Sequence, residues 1–511
     1  MSVACTPQAF RIDSIAQGRG VIGVSACPGS GVAELGEDLR AVASFRPDAI
    51  VTLMSAQELR LIGRADLPET LAGLAPQWHH LVLRPGGAPD ARFERLWAYA
   101  GHRLRGLLRR GGRVLVHCDT GGVRARWLAA RLLTELGVAA GEAAARAHAP
   151  RLAAALATGP LADHHVAGRI QGCLFGGALG DAFGYPVEFK SRAEIREAFG
   201  ARGLEEPRLS RGRLVVSDDT QMTLYTADGL LSALALGAVP RAEQVLARIR
   251  HAYLAWFRTQ REEFATGAPG VSQHREMWAL RAPGSTCLSA LRGGARGTIE
   301  APVNDSKGSG AVMRVAPLGL VPAIDADEAF RLAHAAAALT HGHPVARLSA
   351  AALASLLRDL LDETPMTAAL ERMEARLARR PDGGEVLAAV RAARILAGDG
   401  TPPDRAVATL GHGWTGEEAL AIGLYAALRA DRFEDALRLG VDHDGDSDTT
   451  ASIAGQIWGA LHGLDSLPHG WIARLDVLDP LCDVAGRLIA HAREPAPQAV
   501  PAGAWIARQR V

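Results

Sequence analysis

The chain has 511 residues, 48% hydrophobic and 22% charged, which excludes wholesale disorder and leaves room for two to four domains of about 150 residues each. Fifty-six basic side chains against 55 acidic ones give a net charge of +1, which removes the global electrostatic case for a nucleic-acid coat or an anionic-membrane binder. The six cysteines include no CxxC pair, which argues against a disulfide scaffold and a cysteine-ligated zinc site.

The first residues lack the basic stretch and apolar run of a signal peptide. No apolar run reaches the roughly 18 residues of a membrane span. The expectation is a cytoplasmic protein with no membrane partner. In chain order, residues 49–53 (AIVTL) and 113–116 (RVLV) are β-branched runs that predict buried strands. Residues 55–62 and 91–110 predict helices, and Gly111-Gly112 breaks the second one. Strands alternating with helices point to a small α/β domain with a parallel-rich sheet. The second strand runs into His117-Cys118-Asp119-Thr120-Gly121-Gly122-Val123-Arg124, a Cys-x5-Arg loop ahead of a helix. The N–H groups of such a loop and the planar guanidinium of Arg124 suit a phosphate. The same positive field is expected to lower the thiol pKa and make Cys118 a nucleophile.

Residues 141–165 are Ala-rich, with breaks at Pro150 and Pro160, and read as a helical domain end plus a linker. Beyond Val166, Ala/Leu-rich helical patterns dominate. Residues 331–361, 367–396 and 417–439 predict helices or helix pairs, as in an all-α domain. The expected plan is a first domain over 1–150, a linker over 151–165, a helical domain over 166–493 and a peripheral tail over 494–511. No repeat of fixed period is present.

Two acidic clusters lie in the helical part: Ser217-Asp218-Asp219-Thr220, and the ladder from Asp442 to Asp448 followed by Thr449. Carboxylates packed this closely repel one another, and a divalent cation resolves the conflict. Mg²⁺ and Mn²⁺ prefer such oxygen ligands. An Asp-Asp-Thr run by itself is most often a helix N-cap, and an acidic ladder can be a solvated turn. An EF-hand counted from Asp442 needs glycine where Ser447 stands and glutamate where Ile453 stands, so that motif is rejected.

Taken together, these clusters resemble the ADP-ribosylglycohydrolase family, which includes the dinitrogenase-reductase-activating hydrolases. The likeness is ordered and covers about residues 166–490. It comprises the run from Gly168 through Gly180-Asp181-Ala-Phe-Gly184 to Glu188, Ser217-Asp-Asp-Thr-Gln-Met, Gly308-Ser309-Gly310-Ala-Val-Met-Arg314, Thr340-His341 and Asp446-Ser-Asp448-Thr449. The resemblance implies an α-helical domain with two Mg²⁺ or Mn²⁺ ions. Their ligands would be Ser217, Asp218, Asp219, Asp446, Asp448 and Thr449. It implies cleavage of the glycosidic bond between ADP-ribose and an acceptor, with Glu188 as an acid/base or orienting group. Asp181, Ser309, Gly310 and His341 would contact substrate. Ser309 stands where the family usually has Asn. The implied partner is an ADP-ribosylated protein or an ADP-ribose-containing small molecule. Nucleic acid is not expected, except as an ADP-ribosylated end.

Residues 10–145 resemble the dual-specificity and tyrosine phosphatases, in particular the cyclin-dependent-kinase-associated phosphatase subgroup. Besides the thiol loop, Ala26-Cys27-Pro28-Gly29, the segment from Val51 to Glu58 and Trp78-His-His-Leu carry the likeness. It implies a phosphorylated substrate, a cysteinyl-phosphate on Cys118 and phosphate binding by Arg124. Two departures stand out: Pro85 replaces the expected general acid, and Ala125 the hydroxyl residue after the loop arginine. Loss of acid catalysis costs about 10²–10⁴-fold. Three readings stay open: a bifunctional hydrolase, an ADP-ribose- and phosphate-binding regulator with an impaired phosphatase domain, and a phosphatase with a degenerate helical domain.

Overall fold

The computed structural model describes residues 10–31, 34–84, 89–119, 122–149, 164–236 and 241–493. Pro85, Gly121, the expected linker up to residue 163 and the expected tail lie outside the described residues. The chain divides into two compact units, Met1–Gly168 with Pro468–Ala473, and Arg169–Leu467 with Arg474–Val511.

The first unit holds strands β1 (Ile12–Gln17), β2 (Gly20–Ala26), β3 (Ala49–Thr52), β4 (Gln77–His80) and β5 (Arg113–Cys118). They form one sheet in the order β1-β2-β5-β3-β4. Only β1 with β2 is antiparallel; β2–β5, β5–β3 and β3–β4 are parallel. All four residues of β3 are buried, as expected of a parallel strand covered on both faces. Sequence reasoning found β3 and β5 but not the other three strands. In β2 the apolar run is broken by Gly23, where a side chain would meet Phe45, Ile12 and Leu115. The helix Ala56–Leu61 starts at Ser55 with a full capping box to Glu58, and Ala91–Arg109 starts at Asp90, which caps Phe93 N.

Among the described residues of the second unit, the regular elements are helical, joined by isolated bridges such as Gly308↔Thr415. Each long predicted helical stretch is a pair. Ala326–Ala338 and Pro344–Leu361 are split around Gly342, and Met366–Ala378 and Gly384–Gly398 around Gly383. Gly416–Arg429 and Phe433–Val441 are split at Ala430–Arg432. The helix His164–Gly184 begins inside the expected linker.

One contact organises this unit. Gly172, Gly176, Gly180 and Gly184 recur every fourth residue along His164–Gly184 and so share one face. A side chain on Gly172, Gly176, Gly180 or Gly184 would overlap the backbone of Gly459, Gly455, Ala451 or Ser447, respectively. All four partners belong to the helix Ser447–His462. The two backbones therefore touch, and only glycine fits. Gly180→Ala is expected to lower stability by about 1–3 kcal/mol through overpacking. Gly398→Ala, with open space around it, should be neutral or stabilising. Thermal unfolding of both variants checks this; equal melting points would refute the contact.

Candidate active site

The glycine contact sets the start of Ser447–His462 beside the end of His164–Gly184, and a third helix start joins them. Ser217 caps the helix Asp218–Leu234, its Oγ accepting from Asp219 N at 3.2 Å. Asp181 holds that helix start from outside. Its Oδ1 accepts from Ser217 N at 2.8 Å, and its Oδ2 from Thr220 N at 3.0 Å and Thr220 Oγ1 at 2.5 Å. Both oxygens of Asp181 are thus committed to protein donors. Asp446 is the N-cap residue of Ser447–His462, and Asp448 lies in its first turn.

Six carboxylates converge here. Asp181, Asp218, Asp219, Asp446 and Asp448 are buried, and Glu188 is half-buried. Glu188, Asp446 and Asp448 each offer an oxygen within 4.8 Å of the others. Apart from those on Asp181, few donors meet them: Gly284 N gives 3.2 Å to Asp218 Oδ2, Ser309 Oγ gives 2.6 Å to Asp446 Oδ2, and Thr449 N gives 2.9 Å to Asp448 Oδ1. Asp219 Oδ2 is buried without a partner. Burial, reinforced by the neighbouring carboxylates, pushes Asp218 and Glu188 up to about 8 and holds Asp219 and Asp448 well above the carboxylate range. Asp181 rises to about 6, its burial partly offset by its donors.

The acidic ladder does not act as one cluster. Asp442 pairs with Arg192 (Oδ2 to Nη2, 2.7 Å), and Asp444 Oδ1 accepts from Arg192 N at 2.5 Å. Only Asp446 and Asp448 turn inward. His443, which lies between Asp442 and Asp444 in sequence, is buried and bonds Gly440 O and Thr450 Oγ1, both at 2.9 Å.

The loop at Gly308–Gly310 lies beside Asp446 through the Ser309 hydroxyl. His341 is fully buried beneath it; a side chain on Gly310 would meet its Cε1 at 3.2 Å. Burial and the nearby Arg314 lower its pKa to about 3, and Nδ1 pairs with Thr340 Oγ1 at 2.8 Å. Arg314 is itself fully buried. Its Nη2 donates to Thr340 Oγ1 at 2.5 Å, its Nη1 lies 3.2 Å from Cys287 Sγ, and its guanidinium sits 4.6 Å from the Tyr253 ring centre. Cys287 is therefore a hydrogen-bonding partner of Arg314.

In the first unit, Cys118 ends β5 and Arg124 lies in the first turn of the helix Val123–Glu135. The guanidinium is already engaged. Nη1 lies 2.8 Å from Glu58 Oε1 and donates to Leu83 O at 2.8 Å, and Nη2 lies 2.9 Å from Asp119 Oδ1. The expected low thiol pKa is not found. Burial pushes the Cys118 thiol up, and Asp119 raises it further, against the opposing effects of a hydrogen bond from Ala125 N–H and of the Arg124 charge. Reading the loop as a uniformly positive field overlooked that Asp119 belongs to it.

A family model described as ADP-ribosylglycohydrolase matches residues 162–498, well over half of the chain. The chain belongs to the ADP-ribosylglycohydrolase family. It is similar to the ADP-ribosyl-dinitrogen reductase glycohydrolase of Rhodospirillum rubrum, at 26% identity over 319 residues covering 60% of this chain and 90% of that protein. It is also similar to the ADP-ribosylarginine hydrolase Tri1 of Serratia proteamaculans, at 24% identity over 331 residues covering 64% and 80%. A solved kinase-associated phosphatase is 21% identical over 28% of this chain and 82% of its own, with a TM-score of 0.25, too low to support a fold assignment.

The acidic cluster of this ADP-ribosylglycohydrolase fits a hard divalent cation. All its donors are oxygens, its carboxylates share buried space, and the orphaned Asp219 Oδ2 lacks the partner that a cation supplies. Sequence reasoning missed two residues at its rim, Phe189 and Trp414, whose rings stack although both are exposed. Exposure is the signal, and the sequence does not carry it. Among the described residues, no helix is long and apolar enough to cross a membrane.

The raised carboxyl groups set a pH dependence for the cation-free protein. The folded chain keeps protons that the unfolded chain, with ordinary carboxylates, releases. Stability should therefore fall as pH climbs from about 4 towards about 8, the window spanned by Asp218 and Glu188. Melting in chelator should drop across that range, and Mg²⁺ should restore it at the alkaline end. A flat profile that is indifferent to Mg²⁺ would sink this reading.

Proposed function

We propose that the helical unit hydrolyses the bond between C1 of the ADP-ribose ribose and an acceptor, using two divalent cations, Mg²⁺ or Mn²⁺. The observation carrying this reading is the convergence of two helix starts, 218–219 and 446–448, on one buried carboxylate cluster. The residues that would hold the cations are Ser217, Asp218, Asp219, Asp446, Asp448 and Thr449. When bound, a divalent cation supplies Lewis-acid chemistry: it orients ribose oxygens and lowers the pKa of water.

The chain's own groups do the remainder. Asp181 is a positioning residue in this scheme, because its two oxygens brace the helix start that presents Asp218 and Asp219. Ser309 orients Asp446 through its hydroxyl. Glu188 is the half-buried member of the cluster, and in this scheme its carboxyl exchanges a proton with the departing acceptor atom. Negative carboxylates around C1 stabilise the oxocarbenium-like transition state. The Gly308–Gly310 backbone approaches the diphosphate, and His341 supports that loop from below. The names of the two relatives, one acting on ADP-ribosyl-dinitrogen reductase and one on ADP-ribosylarginine, support an ADP-ribosylated protein or small molecule as substrate.

Product analysis on a panel of ADP-ribosyl substrates tests the scheme. Release of ADP-ribose should cease in chelator and return with Mg²⁺ or Mn²⁺. Asp446→Ala should abolish it, and Glu188→Gln should lower kcat by roughly 10²–10⁴-fold. Turnover that is untouched by chelator and by Asp446→Ala would refute it.

A second activity is favoured by one observation, a cysteine at a strand end facing an arginine in the next helix's first turn. In this reading the first unit takes a phosphate monoester at Arg124, the Cys118 thiolate attacks phosphorus as the bond to the alcohol oxygen breaks, and water then cleaves the cysteinyl-phosphate to free phosphate. Because Glu58 and Asp119 already occupy Arg124, weak turnover is expected. Para-nitrophenyl phosphate should be hydrolysed slowly by the wild type and not by Cys118→Ser. Asp119→Asn should tighten phosphate binding by freeing the guanidinium. Equal turnover by wild type and Cys118→Ser would remove the activity.

A further inference from the structure

Residues 214–217 lead into the helix start that presents Asp218 and Asp219, and two other segments grip them. Residues 474–476 run parallel to them: Leu214 N donates to Arg474 O at 2.8 Å, and Asp476 N to Leu214 O at 2.9 Å. The Asp476 carboxylate carries that ladder one step further, its Oδ1 accepting from Val216 N at 3.3 Å. Arg281 closes the arrangement. Its Nη1 donates to Val216 O at 2.8 Å and its Nη2 to Asp476 Oδ2 at 2.5 Å. Arg281 and Asp476 thus satisfy both main-chain groups of Val216, the residue before the Ser217 cap, and also each other. Their side chains are only 11% and 14% exposed. A pair so withdrawn from water is weak evidence for stability, because desolvation offsets its attraction. What it secures is geometry.

Arg281 also opens a short loop that holds Asp218 at both ends. Arg281 O accepts from Asp218 N at 2.9 Å, and Gly284 N donates to Asp218 Oδ2 at 3.2 Å. Between them Ala282 sits at φ 50°, a left-handed conformation that a residue with a Cβ keeps only where its surroundings impose it. Here the bonds of Arg281 and Gly284 on either side impose it. We propose that Arg281 and Asp476 are positioning residues of the cation site: their pair sets the 281–284 loop, and the loop sets the Asp218 carboxylate. Neither is a ligand in this scheme; each acts through Asp218. This inference rests on the proposed cation binding by Asp218 and its neighbours, and extends that site to residues outside its sequence motifs.

Mn²⁺ binding to the full chain, followed by electron paramagnetic resonance, tests this without relying on turnover. Arg281→Met and Asp476→Asn should each raise the Kd for Mn²⁺ by about 10- to 100-fold, the usual effect of removing a group that orients a metal's ligands. Arg281→Lys, which keeps the charge and a donor, should recover part of that loss. Arg376→Met is the control: it removes a similarly withdrawn pair, with Asp359 at 2.7 Å, in the helix Met366–Ala378. It should lower the melting point and leave Mn²⁺ binding as in the wild type. Arg281 and Asp476 variants that melt earlier yet bind Mn²⁺ like the wild type overturn the proposal, since the pair then serves stability alone. Equal weakening by Arg376→Met overturns it as well, since the effect is then general destabilisation. If Arg281→Met does not fold, Arg281→Lys and Asp476→Asn carry the comparison. A wild type that binds no Mn²⁺ removes the cation site and this inference together. A wild type that binds Mn²⁺ but releases no ADP-ribose removes only the hydrolase reading, and the variants still decide the positioning role.

Discussion

The contact between the backbones of His164–Gly184 and Ser447–His462 is the constraint from which the site follows. Two helices ordinarily sit 8–10 Å apart, separated by side chains. Here four glycines on one helix meet Gly459, Gly455, Ala451 and Ser447 on the other, so the separation collapses to backbone contact. The approach reaches the very start of Ser447–His462 and the end of His164–Gly184. It therefore places Asp446 and Asp448 against the segment carrying Asp181 and Glu188. Asp181 then reaches across to hold the start of Asp218–Leu234. A chain of three helix ends is locked by one packing surface and one carboxylate.

The energetic consequence is a concentration of like charge where water is scarce. Helix N-termini favour negative charge, but only within the first turn and by modest amounts. Six carboxylates exceed what that effect offsets, which is why burial and mutual repulsion raise them together. The first unit shows the converse arrangement. Arg124 is the cation there, and Glu58 and Asp119 satisfy it within the protein. The carboxylates of the helical cluster raise one another, whereas Arg124 is paired with Glu58 and Asp119. That difference explains why the helical cluster reads as a site more readily than the thiol loop does.

Much of the candidate site is legible in the sequence. Ser217-Asp-Asp and Asp446-Ser-Asp both stand at helix starts, where short polar residues are favoured; the Ser217 side chain bonds an exposed N–H there. The alternating pattern of the first domain and the helical second domain were also readable, since burial on one face leaves a period in the sequence. Other features were not. The ladder from Asp442 to Asp448 divides between Arg192 and the cluster, a partition set by which face each residue takes around a tight turn. Strands β1, β2 and β4 were missed because polar, glycine-bearing or histidine-rich runs take strand form only through their neighbours. The thiol of Cys118 was misjudged because its environment depends on Asp119 and on burial together.

The sequence by itself determined the chemical vocabulary: oxygen ligands at two helix starts, a glycine-rich helix, a thiol followed by an arginine, and membership of a family of hydrolases acting on ADP-ribose linkages. These are local, carried by residue type and spacing along the chain. Only the tertiary structure decided which of those groups meet. Ser309 and Asp446 are 137 residues apart in the chain yet bonded, and Phe189 and Trp414 stack from distant parts of the chain. Such pairings depend on helix packing over long sequence separations, where a missing side chain at Gly176 or Gly180 matters as much as any charged one.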